Sequence, residues 1–547
     1  MATEFDFIIV GAGSAGCVVA HRLAESAQAS VCVVEAGPSD RNLYVQIPAG
    51  YIKNIFNPRR TWVFKTEPVP GVGNKSLQLL VGKGLGGSSS INGMVYGRGH
   101  AADYDGWAQL GNRGWSFDDV LPYFRKSERR IGAGDDSIHG RHGPLTVSDP
   151  IIVGPLCEAF EAAAEQVGIP RVRDYNTGQV DGAGPYQFTI DTSGIRPVRQ
   201  STARAFLKPA VATGRVTVLT DSYAEAITFE GRRATGIRYR AGSPAGERCE
   251  IRARREVIVS AGTLNTPRLL QISGIGSAEL LGSIGVPVIR DAPGVGANLV
   301  DHFQLRLAAR VKNCSTLNER GRGLALGREI IRWLAGRPSI LGMGPVPMRA
   351  YYRSDPVQDN IDTQLSFTPA SYREGLPGLL DHYPGMTCGG YRLHPRSRGW
   401  VRAKSADIAV PPEVQPNYLA TEWDREGVVD VVRKVRQIFS AEAFQPYFDA
   451  EMLPGKDVQS DDEILGFARQ YGGTVYHHVG TARMGPESDR SAVVDDQLRV
   501  RGVTGLRVAD ASIMPTTVSA PTNAATIMIG EKAADMILGR GNATAAA

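Results

Sequence analysis

Phe5-Asp6-Phe7-Ile8-Ile9-Val10 runs directly into Gly11-Ala12-Gly13-Ser14-Ala15-Gly16, and this junction constrains the fold more than any other stretch of the chain. A short apolar, β-branched run suits a parallel strand buried on both faces. The three glycines then meet three separate needs. Gly11 allows a tight turn, Gly13 lets the backbone approach a pyrophosphate, and Gly16 lets the next helix, read from Cys17 to Leu23, pack close to the sheet. The helix start at Ser14 and Ala15 faces the phosphate charge. A second buried run, Val31-Cys32-Val33-Val34, ends in Glu35 and Ala36, with Glu35 24 residues after Gly11. An acid there accepts hydrogen bonds from ribose hydroxyls and repels a 2′-phosphate. The chain thus opens as a Rossmann-like β-α-β unit for a dinucleotide, without separating FAD from NAD. An accidental glycine-rich turn is the competing reading; strand, helix and acid together disfavour it.

Further along, Leu156–Val167 reads as an amphipathic helix. Val216–Leu219, Ala226–Phe229 and Ile237–Tyr239 read as short antiparallel strands. Glu256–Ser260 is a buried strand closed by Ala261-Gly262, and Gly505–Ala509 is another. The last helix, Ala524–Leu538, stops at Gly539. Nucleotide-type features therefore sit at the start, the middle and the end of the 547 residues. Lys plus Arg is 61 against 56 Asp plus Glu, an excess too small and scattered for nucleic-acid binding. The cysteines Cys17, Cys32, Cys157, Cys249, Cys314 and Cys388 form no Cys-x-x-Cys pair, so no metal site is expected and a reducing compartment suits them. A strand at Phe5 leaves no room for a signal peptide, and no apolar run approaches the ~20 residues of a membrane span. The expected location is cytoplasmic.

A second glycine cluster, Gly82-Lys83-Gly84-Leu85-Gly86-Gly87-Ser88-Ser89-Ser90-Ile91-Asn92, offers backbone N–H groups to another part of a long cofactor. With Tyr96, Gly99 and Asp105 following in register, this stretch resembles the first signature of the glucose–methanol–choline (GMC) oxidoreductases, a family of flavoproteins. Gly262–Gly276 resembles the second signature, and Gly294–His302, Pro395–Gly399 and the run from Gly505 to Met536 also match. The resemblance spans essentially the whole chain. It implies an α/β fold, α+β overall, with a Rossmann-like FAD-binding domain built from discontinuous segments (1–150, 200–305 and 482–541). A substrate domain with an antiparallel sheet would take 151–199 and 306–481, and 542–547 would be a flexible tail. The implied FAD contacts add Lys83, Gly86, Gly87, Ser88, Asn92, Gly93, Met94, Val95, Ala261 and Thr526. Ala224 would face the adenine, with Asp510 and Ala511 by the ribityl chain. An ordinary helix N-cap is the alternative for Asp510. Some relatives tether FAD to a histidine; the matching position here is Ile91, which implies a non-covalent flavin.

Alcohol oxidation needs a base for the hydroxyl proton, a donor for the alkoxide and an aligned hydride acceptor. In Tyr476-His477-His478-Val479-Gly480-Thr481 the resemblance puts the base at His477. His478 stands where Pro or Gly is usual, so His478 or the pair could instead hold the proton. Asn523 matches the partner position; its amide can donate to an alkoxide, and capping the final helix is its local alternative. Val475 would lie near the flavin.

The resemblance implies a small alcohol, with a primary alcohol expected, and oxygen or a quinone as acceptor. The stretch Gly342–Asp362 lacks the acidic motif expected for choline. Residues 324–341 read as a basic amphipathic helix. Packing over the substrate entrance is the preferred reading for it, with peripheral membrane contact as the alternative. Rival functions are an FAD-containing hydroxynitrile lyase, an NAD-dependent dehydrogenase and a non-catalytic flavin-binding protein.

Overall fold

The computed structural model describes residues 3–26, 29–355, 357, 359–373 and 378–540; the expected tail at 542–547 lies outside them. Two large sheets organise it. The first runs in the order Val216–Leu219, Val31–Val34, Glu4–Val10, Glu247–Val259, Arg233–Ala241, Ser222–Glu230. Its first four strands are parallel neighbours, and Glu247–Val259 forks. Residues 247–252 pair antiparallel with Arg233–Ala241, while Val257–Val259 pair parallel with Leu506–Val508. This one long strand joins the nucleotide unit to both a hairpin and the C-terminal segment.

Val216–Leu219 corrects the sequence reading. It lies parallel to Val31–Val34, because the chain reaches it through the helical stretch Ala203–Ala212, and a helical crossover delivers a parallel strand. The opening helix forms as Ser14–Ser26 and packs on the final helix, Asn523–Ile537. Gly530 permits the approach: a Cβ there would sit 2.9 Å from the Ala15 carbonyl oxygen. A buried ion pair crosses the same interface, with Arg22 Nε 2.7 Å from Glu531 Oε2.

The second sheet is antiparallel: Phe448–Leu453, Phe303–Val311, Gly385–Arg392, Thr363–Thr368, Met348–Tyr352, Gly182–Pro185. Helices Pro155–Gln166, Glu422–Ser440 and Asp461–Tyr471 contribute to the core on one face. In strand Phe303–Val311 the residues Phe303, Leu305, Leu307 and Ala309 join that core, whereas Gln304 and Arg306 alternate to the opposite face. The opposite face is polar and forms a wall of the cavity described next. The 324–341 reading forms a helix, Gly323–Leu334, and then a short turn. Trp333 is buried against the chain near Pro197, and none of residues 323–334 lines the cavity. The helix therefore does not cover the substrate space as expected.

Candidate active site

A cavity of 740 Å³ runs between the two sheets. At one end lie Gly11, Gly13, Ser14, Ala15, Glu35, Ala36 and Ala224; further along come Gly87, Ser88, Asn92, Gly93, Met94, Val95 and Ala261. Asp510, Ala511, Asn523, Thr526, His477 and His478 complete the set of expected residues on its wall. Gly16, Lys83 and Gly86 do not line it. Gly16 is architectural, since a Cβ there would meet the Gly11 carbonyl oxygen at 2.0 Å. At Gly86 the backbone has φ +87°. Lys83 instead holds its ammonium 4.6 Å from the Trp62 ring and 5.0 Å from the Tyr223 ring, beside Ala224.

The first end fits a dinucleotide. A side chain at Gly11 would come within 2.3 Å of the Ser260 carbonyl, while one at Gly13 would meet nothing closer than 3.8 Å and would project into the space a pyrophosphate needs. Ser14 and Ala15 begin the helix there. Glu35 departs in part from its expected role. Its carboxylate already accepts from the backbone N–H groups of Ala12, Gly37 and Gly84, all at 2.9 Å, while burial pushes its pKa up. Oε2 takes only one of these bonds, which leaves acceptor capacity for a ribose hydroxyl. Asp510 likewise does both jobs weighed for it. It caps the Ala511–Ile513 turn through Ser512 N and accepts from Gly262 N and the Thr266 hydroxyl, while lining the cavity.

At the other end the chain turns sharply to present His477. Tyr476 takes a left-handed φ of 64°, held by its N–H on Thr474 Oγ1 at 2.7 Å. Asp301 fixes the turn from below, accepting from His477 N at 2.8 Å and from the Thr474 and Tyr418 hydroxyls at 2.5 Å. The His477 ring meets His302: the two Nδ1 atoms are 2.9 Å apart. His302 Nε2 lies 2.7 Å from the Leu393 carbonyl oxygen, which can only accept, so Nε2 carries the hydrogen. Burial holds the His302 pKa down to about 4, so that ring is neutral and its Nδ1 is bare. His477 Nδ1 must then be the donor between the rings. Burial, with His302 and His478 adjacent, also holds His477 well below the ordinary histidine range. Its Nε2 is consequently an unprotonated nitrogen on a ring that lines the cavity.

His478 points elsewhere. Its Nε2 is 3.4 Å from Asp301 Oδ2 without hydrogen-bond geometry, and its carbonyl accepts from Thr263 Oγ1 at 2.8 Å. Asn523 is the first residue of the final helix, and the cap position is Thr522. The Asn523 side chain therefore does not cap. Its Oδ1 accepts from Ser14 Oγ at 2.7 Å, which turns the NH₂ group away from Ser14 as a donor. Val475 is half-buried on the cavity wall.

Sequence reasoning missed His302 and Asp301 as members of the site, although both close the quoted Gly294–His302 run. It also missed Gln304, Arg306, Tyr51 and Tyr372, which line the cavity. The period-two alternation Phe303-Gln304-Leu305-Arg306-Leu307 was the available signal for two of these.

A glycine-rich dinucleotide cradle opens onto a paired-histidine centre and a polar antiparallel sheet, an arrangement suited to a dinucleotide-dependent oxidoreductase. The chain belongs to the GMC oxidoreductases: the family's N-terminal model matches residues 5–304 and its C-terminal model residues 395–530. It is 40% identical over 538 residues to the oxygen-dependent choline dehydrogenase of Brucella ovis, covering 98% of this chain and 96% of that one. It is also 40% identical over 552 residues to the protein of the same name from Pseudomonas fluorescens, covering 99% and 94%. Among solved structures, pyridoxine 4-oxidase from Mesorbium loti superposes with a TM-score of 0.86 at 30% identity, over 97% of this chain and 98% of that one. Formate oxidase from Aspergillus oryzae gives 0.91 at 26% identity, over 98% of both. The protein is an FAD-dependent enzyme that oxidises a CH–OH substrate.

Proposed function

We propose that the protein oxidises a primary alcohol to an aldehyde, with His477 taking the hydroxyl proton. The observation that carries this reading is the chain Leu393 C=O, His302, His477, which leaves His477 Nε2 as a bare acceptor at the cavity. When bound, FAD supplies the hydride acceptor for the carbinol C–H bond. His477 Nε2 accepts the hydroxyl proton, and its Nδ1–H on His302 keeps the ring in that tautomer while charge develops. Asn523, with Oδ1 engaged by Ser14, donates from Nδ2 to the alkoxide. His478 lies on the cavity wall with its Nε2 towards Asp301, and its role is positioning rather than proton transfer. Ile91 supports a dissociable flavin.

The relatives named oxygen-dependent support oxygen as the electron acceptor, with a quinone as the alternative to test. Leu324, Ile331 and Leu334 are 87%, 67% and 53% exposed on the same helix as Arg328 and Arg332, which supports peripheral contact with an anionic membrane. Co-sedimentation with anionic but not neutral vesicles, lost in Ile331→Glu, tests that contact.

The test of the main reading is anaerobic stopped flow. His477→Ala should retain FAD yet be bleached by an accepted alcohol at least ~100-fold more slowly than wild type. Wild-type rates in that variant would remove His477 from the mechanism. An alcohol consumed without flavin bleaching would point to the lyase reading.

A further inference from the structure

We infer that the alcohol taken by this cavity carries a carboxylate, and that Arg306 binds it. The inference rests on the alcohol-oxidation reading and names its substrate class. Arg306 lies in the middle of strand Phe303–Val311 on the face that lines the cavity. Space is made for it: a Cβ on the facing Gly389 would come within 2.9 Å of Arg306 Cγ. Among the described residues its guanidinium has no hydrogen-bond or ion-pair partner. Three phenols surround it within electrostatic reach, those of Tyr51, Tyr372 and Tyr476, all on the same cavity wall. Tyr476 precedes His477 in the chain, so the arginine and the base serve one space.

Arg306 opens onto the cavity, and the protein packed around its guanidinium pulls its pKa down; among the described residues it is a cation that faces the substrate space without a counter-charge. The other charges on the wall do not relieve it. Glu35 and Asp510 are the carboxylates among the described lining residues, and both already hold backbone N–H groups at the nucleotide side. Arg268 at that side is engaged with the carbonyls of Ile408 and Val410. Arg373, also on the cavity wall, adds a further positive charge, against His382. A cationic alcohol would meet net repulsion here. A planar monoanion would gain a bidentate contact with the guanidinium, with phenol hydroxyls at its flank.

The experiment uses the purified holoenzyme and matched probes: ω-hydroxy acids over a series of chain lengths, the ω-hydroxyamides of the same lengths, and choline. Wild type should oxidise the best hydroxy acid with a kcat/KM at least ~30-fold above its amide, with choline poorer than the amide. In Arg306→Leu the acid-to-amide ratio should collapse towards one, and Arg306→Lys should recover part of it. Equal turnover of acid and amide by wild type, or an unchanged ratio in Arg306→Leu, overturns the proposal. If no alcohol of any charge bleaches the flavin, the alcohol reading fails, and binding decides the anion site separately. Wild-type holoenzyme should then show a saturable flavin spectral shift with butyrate and none with butyramide. Equal responses to the two would overturn it. Should Arg306→Leu not fold, the wild-type acid-to-amide ratio and the butyrate shift still decide.

Discussion

Replacing His302 by phenylalanine removes the partner of His477 while leaving the rest of the site in place. Phenylalanine keeps the stack on Tyr391, where the His302 ring now lies 4.4 Å away at 22°. The Leu393 carbonyl keeps a partner too, since Thr517 Oγ1 donates to it at 2.8 Å. What disappears is the 2.9 Å bond to His477 Nδ1. Between neutral rings that bond contributes about 1 kcal/mol; once His477 holds the substrate proton, it rises to about 2–3 kcal/mol. Only the difference, about 1–2 kcal/mol, acts on the rate. Flavin bleaching by a fixed alcohol should therefore slow ~5–30-fold at pH 7. Free rotation of His477 and access to its wrong tautomer add to this loss. His302→Gln, whose amide oxygen can still accept, should recover part of the rate. Anaerobic stopped flow on FAD-replete protein measures it. A His302→Phe rate within two-fold of wild type would refute the relay.

The same residue predicts a pH dependence of stability. His302 is held near a pKa of about 4, below the ordinary value of 6.5, so stability is full above pH ~6.5 and falls as pH drops towards 4. That lowering corresponds to roughly 3 kcal/mol at the acid end. Denaturant titrations from pH 7 to 4 should show that loss, and His302→Phe should remove the His302 share while that of His477 remains. At the helix interface, Arg22→Met leaves Glu531 buried, with Lys126 Nζ at 3.7 Å as its remaining cation, and should cost about 3–5 kcal/mol in chemical denaturation. Adding Glu531→Leu should restore much of it. With Ile91 in place of a histidine, acid precipitation should release all flavin into the supernatant; flavin retained on the pellet would contradict this.

The opening β-α-β unit was legible because its constraints are local: strand, glycines and acid lie within 35 residues, and each glycine has its own steric reason. The second sheet was not. Its neighbours are out of sequence order, with Phe448–Leu453 beside Phe303–Val311, and Gly385–Arg392 carries too many glycines to read as a strand. The site divides the same way. His477 and Asn523 were legible through motifs. The histidine pair joins residues 175 apart, and no pattern within either segment announces it. Arg306 alternates visibly with apolar neighbours, yet only the fold reveals that its face borders a cavity rather than outer solvent. Lys83, an implied FAD contact, shows the same limit: its two aromatic partners, Trp62 and Tyr223, come from other segments, and nothing in its glycine-rich loop announces them.

The central claim is that this cavity oxidises a carbinol carbon while His477 takes the hydroxyl proton. The most direct measurement is anaerobic reduction of the bound flavin by an alcohol and by its counterpart deuterated at the carbinol carbon, in wild type and His477→Ala. The account predicts bleaching in wild type that slows severalfold on deuteration, and at least ~100-fold slower bleaching in the variant. Bleaching insensitive to deuteration, or equally fast without His477, would contradict it.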